Sequence, residues 1–212
     1  MTLRLTKLTI FLAALIPLSR LVWKAFHGGL GANPIEVITH STGDWTLIFV
    51  LATLSVTPLR RLTRQYWLIG IRRMVGLFAF FYGTLHFLTY IWLDKFFDIH
   101  EMVKDIVKRP FITVGFSAFV LMIPLAATST AWSIRRLGGK NWQRLHRLIY
   151  ISGILGVVHY IWLVKADRRK PYEYGVVLTA FLLYRVAVWW SEKRKQRGLP
   201  VLTRGRIEVT KV

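Results

Sequence analysis

The chain has 212 residues, 54% of them hydrophobic, and carries 30 Lys and Arg against 10 Asp and Glu, a formal charge of +20. Soluble domains are roughly 45–50% apolar, so the excess points to a membrane protein. The basic residues gather between long apolar runs, as in loops around membrane spans, which argues against a nucleic-acid partner and for membrane lipid; the absence of cysteine excludes disulfides, thiolate metal sites, a catalytic thiol and C-x-x-C-H haem attachment.

A spanning helix needs roughly 20 mostly apolar residues, and six segments qualify or nearly do. The first, 8–26, follows Arg4 and Lys7 as a signal peptide would. No small-residue cleavage site comes after it, and Arg20, Trp23 and Lys24 interrupt it, so it reads as a retained helix. The second, 45–59, is short and exits at Pro58, Arg60 and Arg61. The others are 74–93, 111–132, 148–164 and 174–190. The connection 94–110 is too short for a soluble domain. The fold expected is therefore an all-α membrane protein: one six-helix transmembrane domain over 1–190, then a basic tail over 191–212. The tail reads as lying against anionic lipid, or as docking a soluble partner.

Loop charges set the orientation. With both termini on one side, that side collects 19 basic residues and two acids, Glu192 and Glu208, whereas the opposite loops hold eight of each sign. The positive-inside bias then makes both termini cytoplasmic.

Ionisable groups inside a bilayer are costly and mark functional sites. His27, His40 and His100 fall in or near outer loops and read as solvated. His86 lies about 18 Å up the third helix and His159 about 16–17 Å up the fifth, at 1.5 Å per residue. Two imidazoles at matched depth on helices running the same way suit the axial positions of an iron porphyrin. The bland alternative is two polar helix–helix contacts. His146 stands at the inner mouth of the fifth helix, about 20 Å from His159, too far to share a haem with it.

The stretches G-G-K-N-W-Q-R-L-H-R-L-I-Y (138–150), V-H-Y-I-W (158–162) and T-L-H-F-L-T-Y (84–90) resemble the ferric-reductase-like transmembrane superfamily. The blocks F-H-G-G-L-G-A-N-P (26–34), I-R-R-M-V-G-L (71–77) and A-A-T-S-T (126–130) narrow the resemblance to the MsrQ (YedZ) family. That resemblance covers essentially the whole chain. It implies a haem-binding subunit in the bacterial inner membrane, with one haem b, an FMN and a periplasmic molybdopterin-containing methionine-sulfoxide reductase, MsrP, as electron acceptor. It also implies roles for His86, His146 and His159, the metal ligands being His86 and His159. Superfamily members with two stacked haems carry His pairs 13–14 residues apart on both the third and fifth helices. Fourteen residues before His86 stands Arg72, so a single haem is expected.

Arg72 and Arg73 read either as a positive-inside anchor or as the fork that holds the FMN phosphate near His146. Arg20 reads as a partner for a haem propionate or as a snorkelling residue, and Arg185 as snorkelling inward. No Gly-rich dinucleotide fingerprint occurs, so electrons are expected from membrane quinol or a separate cytosolic flavin reductase. The chain is then a non-catalytic electron-transfer subunit. Competing readings are a quinol-oxidising cytochrome b subunit of another periplasmic reductase, and a transporter or assembly factor without haem.

Overall fold

The computed structural model describes residues 3–198. Among these residues the fold is all helical: α1 Leu3–Phe26, α2 Pro34–Thr63, α3 Leu68–Leu88, α4 Ile99–Lys108, α5 Pro110–Ala127, α6 Ala131–Leu137, α7 Gly139–Leu145, α8 Leu148–Leu163 and α9 Arg169–Gly198. A π-helical segment, Thr89–Asp94, prolongs α3. Six helical runs are long and apolar enough to cross a membrane: α1, α2, α3 with its π-helical segment, α5, the α7–α8 run and α9. From residue 199 the expected basic tail lies outside the described residues; its first part continues α9.

Several helices differ in extent from the apolar runs, and local chemistry explains why. α2 starts at Pro34 rather than near residue 45, because Asn33 caps it by accepting the Glu36 N–H at 3.4 Å and Pro34 fits the first turn. Pro58 does not end α2, which runs on to Thr63, and Arg64 closes it in left-handed backbone at φ 58°. α5 stops at Ala127, earlier than the expected 132, since Thr130 begins a new helix by accepting the Ser133 N–H at 3.0 Å. The connection 94–110 folds mostly into α4, capped by Asp98.

The core sits between α2 and α3, where Leu54 and Ala79 are fully buried. Phe49 stacks on Tyr82 and Phe78, with ring centroids 5.3 and 5.6 Å apart, which adds aromatic packing to area burial. α5 lies along α8, and both flank α3 and α2, enclosing a cavity. Elsewhere the spans turn Phe11, Ile16, Ile123 and Leu183 outward, as a protein solvated by lipid does.

Candidate functional site

The cavity between α2, α3, α5 and α8 has a volume of about 430 Å³ and is walled by Leu47, Val50, Phe87, Phe116, Phe119 and Met122. Two imidazoles enter it, His86 from α3 and His159 from α8. Their ring centroids are 6.1 Å apart and their planes cross at 77°. His86 Nδ1 donates to the Thr39 carbonyl at 2.9 Å, and His159 Nδ1 donates to the Phe111 carbonyl at 2.7 Å. A carbonyl can only accept, so in each neutral ring the proton is on Nδ1 and Nε2 keeps its lone pair. That is the tautomer a metal ligand needs, and the backbone partner also fixes the ring's orientation.

Two glycines make room for these rings. A Cβ at Gly43 on α2 would meet His86 Cε1 at 3.1 Å and Nδ1 at 3.2 Å. At Gly115 on α5 it would meet His159 Nδ1 at 2.5 Å and Cε1 at 2.8 Å. The ring separation also suits a metal held from both sides, since two metal–imidazole bonds of about 2 Å plus the ring radii span a similar distance. Among the described residues no group of three or more His, Asp or Glu could hold an ion by itself. A two-histidine pair in a mainly apolar cavity fits an iron whose remaining positions a macrocycle fills.

His146 does not line this cavity. It caps α7, donates from Nδ1 to the Trp142 carbonyl at 3.0 Å and stacks on Trp142 with centroids 3.7 Å apart. Its Nε2 is buried, with the Leu125 backbone within reach. Arg72 is half-buried and within electrostatic reach of both His146 and Arg185, whereas Arg73 is exposed. Arg185 does not snorkel: it reaches across to α2, donating to the Leu54 carbonyl at 2.6 Å, with its guanidinium 5.1 Å from the Tyr150 ring centre. Arg20 is exposed on α1, away from the cavity wall.

The structure thus brings His86 and His159 together, groups His146 with Arg72, and leaves Arg20 and Arg73 apart from both. Four contributors escape a reading of the sequence: Gly43, Gly115 and the carbonyls of Thr39 and Phe111. Nothing in sequence distinguishes these positions from other glycines and backbone groups of the spans. His40 lies on α2 and lines the cavity, rather than standing in a loop. Its i,i+4 neighbour Asp44, 3.5 Å from Lys170, lines it too.

Comparison with known proteins identifies the family. The family model described as ferric reductase like transmembrane component matches residues 41–157. The chain is 55% identical over 199 residues to the protein-methionine-sulfoxide reductase heme-binding subunit MsrQ of Herminiimonas arsenicoxydans, covering 93% of this chain and 91% of that one. The MsrQ of Ralstonia nicotianae is 53% identical over the same shares, and that of Caulobacter vibrioides is 48% identical over 90% of each chain.

Proposed function

We propose, on the premise that this chain belongs to the ferric-reductase-like transmembrane family and to its MsrQ branch, that it is the haem-binding membrane subunit of a methionine-sulfoxide reductase. The observation that carries this reading is the facing pair His86 and His159, each with Nδ1 bound to a carbonyl. These two residues hold the iron of one haem b through Nε2. Bound there, the haem supplies one-electron transfer, with a potential tuned by its ligands and surroundings. The Thr39 and Phe111 carbonyls orient the ligands and raise their basicity. Phe87, Phe116 and Phe119 keep water from the site.

The second cluster takes FMN. Arg72 accommodates the phosphate, with the exposed Arg73 adding positive charge from outside the cluster, and the buried Nε2 of His146 meets a polar atom of the flavin. Arg20, exposed on α1, anchors that helix at the interface and takes no part in holding haem. The positive-inside bias supports cytoplasmic termini in a bacterial inner membrane, with a single transmembrane domain over 1–190 and a basic tail. The cavity then opens towards the periplasm, where the molybdopterin-containing MsrP receives the electrons. Quinol or a cytosolic flavin reductase delivers them on the other side.

The test is to purify His86→Ala and His159→Ala in detergent and measure haem by pyridine haemochrome against protein. The wild type is expected to hold one haem per chain and each variant to lose it while remaining inserted. Two variants with wild-type spectrum and stoichiometry would overturn the ligand assignment.

A further inference from the structure

α4 joins two membrane spans on the same face and is tethered closely to both: residues 95–98 link it to the π-helical segment and Arg109 alone links it to α5. A four-residue link reaches about 14 Å at most, so α4 stays at the membrane rim. Its ten residues divide into three sectors at 100° per residue. Met102 and Ile106 line the cavity, as does Arg109 just after the helix, and beside them Asp105, 5% exposed, binds Lys95 at 2.6 Å. His100, Glu101, Lys104 and Lys108 form a polar sector. Between these two runs a narrow apolar stripe, Ile99, Val103 and Val107, 73%, 54% and 78% exposed. Those three positions are spaced i, i+4, i+8, about 80° of arc in total.

The segment leading into α4 adds further exposed apolar surface. Trp92 on the π-helical segment is exposed, and so are Phe96 and Phe97 in the link. Both phenylalanines sit in left-handed backbone, at φ 48° and 61°, a conformation that bulky residues rarely adopt. These two residues turn the chain from the axis of α3 into α4. The stripe thus adjoins the rim of a lipid-facing span on one side and lysines on the other. An amphipathic helix lying in a bilayer interface has this arrangement.

We propose that α4 is an interfacial helix whose Ile99, Val103 and Val107 rest in the acyl boundary of the bilayer, making it a lipid-seated roof over the cavity. Its occupant is lipid, and the Lys95–Asp105 ion pair clamps the same helix to the end of the third span. One short element therefore meets cavity, lipid and water on three faces. Because the cavity face and the lipid face share one rigid helix, lifting α4 out of the interface would also open the cavity.

The chain has no cysteine, so single-cysteine variants need no background removal. Val103→Cys and Val107→Cys carry a nitroxide in the full chain, reconstituted in vesicles of phosphatidylcholine and phosphatidylglycerol, with His100→Cys as the polar control. The labels at 103 and 107 are expected to be more accessible to oxygen than to a water-soluble nickel chelate, and the label at 100 the reverse. Nickel access at 103 and 107 equal to that at 100 would overturn the proposal. So would protection that appears only when a soluble periplasmic protein is added, since a protein would then be the occupant. Should a label disturb the fold, the unlabelled cysteines still decide: a membrane-impermeant maleimide is expected to react about tenfold more slowly at 103 and 107 than at 100. Equal rates would overturn the proposal.

Discussion

Gly115 carries the sharpest steric demand among the described glycines. Any side chain there would place a Cβ 2.5 Å from His159 Nδ1 and 2.9 Å from the ring carbon Cγ. The ring, held by the Phe111 carbonyl at 2.7 Å, would have to leave its position, and with it the tautomer that frees Nε2. Gly43 is less strict, since its Cβ would approach His86 no closer than 3.1 Å. Gly115→Ala is therefore expected to lose most of its haem and Gly43→Ala only part. Haem per chain in purified protein measures both, with an unchanged helical circular dichroism signal as the fold control; equal retention in the two variants would refute the ranking. The two histidines were legible in the sequence because an ionisable residue stands out in an apolar run. The glycines were not: the chain has 15, and what distinguishes these two is the ring opposite them, which only the packing of α2 on α3 and of α5 on α8 supplies. The backbone carbonyls have no sequence signal at all.

Pro17 sits inside α1, and the hydroxyl of Tyr82 donates to the Ala14 carbonyl at 2.7 Å and accepts the Leu18 N–H at 3.3 Å. A regular helix would join Ala14 and Leu18 directly, so Tyr82 of α3 enters the ladder of α1 beside the proline. This bond ties α1, otherwise the least buried of the early helices, to the core. Tyr82→Phe removes both hydrogen bonds made by a side chain that is 1% exposed, at about 1–3 kcal/mol. The expected outcome is a lower midpoint of thermal unfolding in detergent with haem content unchanged in the folded fraction. A second tie holds α4. Lys95 and Asp105, with side chains 14% and 8% exposed, lie 2.6 Å apart, and Arg109 stands 3.5 Å from the same carboxylate. Removing one partner of a buried pair costs about 3–5 kcal/mol, and Arg109 keeps Lys95→Met near the lower end. The Asp105 hydrogen bond raises the Lys95 ammonium above its ordinary range. A raised lysine contributes its full stability below the unfolded value, about 10.4, and loses it as pH climbs through the folded one. Protection of α4 from proteolysis should thus stay constant from neutral pH to about 10 and fall above it, and Lys95→Met should abolish that alkaline transition. Retention of the transition would place its origin elsewhere.

Across the whole molecule, hydropathy alone disclosed the six spans, because the bilayer demands long apolar helices. What it concealed was helix at the rims: α4, α6, α7 and the first turns of α2 and α3 are too polar or too short for an apolar-run criterion. In α2, α4 and α6 the helix is started by a side-chain cap, Asn33, Asp98 and Thr130 respectively. That matters for Arg72 and Arg73, which lie inside α3 as its fifth and sixth residues, rather than in a loop ahead of it. Neighbours on a helix diverge by about 100°; accordingly Arg72 is half-buried near His146 and Arg185, whereas Arg73 is exposed. A pure positive-inside anchor would make the two interchangeable, since topology counts charge and not direction. A phosphate fork that works with His146 would not. Arg72→Gln is therefore expected to weaken FMN retention by about 10- to 150-fold, the equivalent of one charge-assisted hydrogen bond of about 1.5–3 kcal/mol. Arg73→Gln should weaken it less, and both variants should keep their haem because neither arginine lines the cavity that His86 and His159 enter. Titration of FMN into each purified variant gives the affinities, and an intact haem spectrum reports correct insertion. Wild-type FMN affinity in both variants, with haem intact, would reduce the pair to topological anchors.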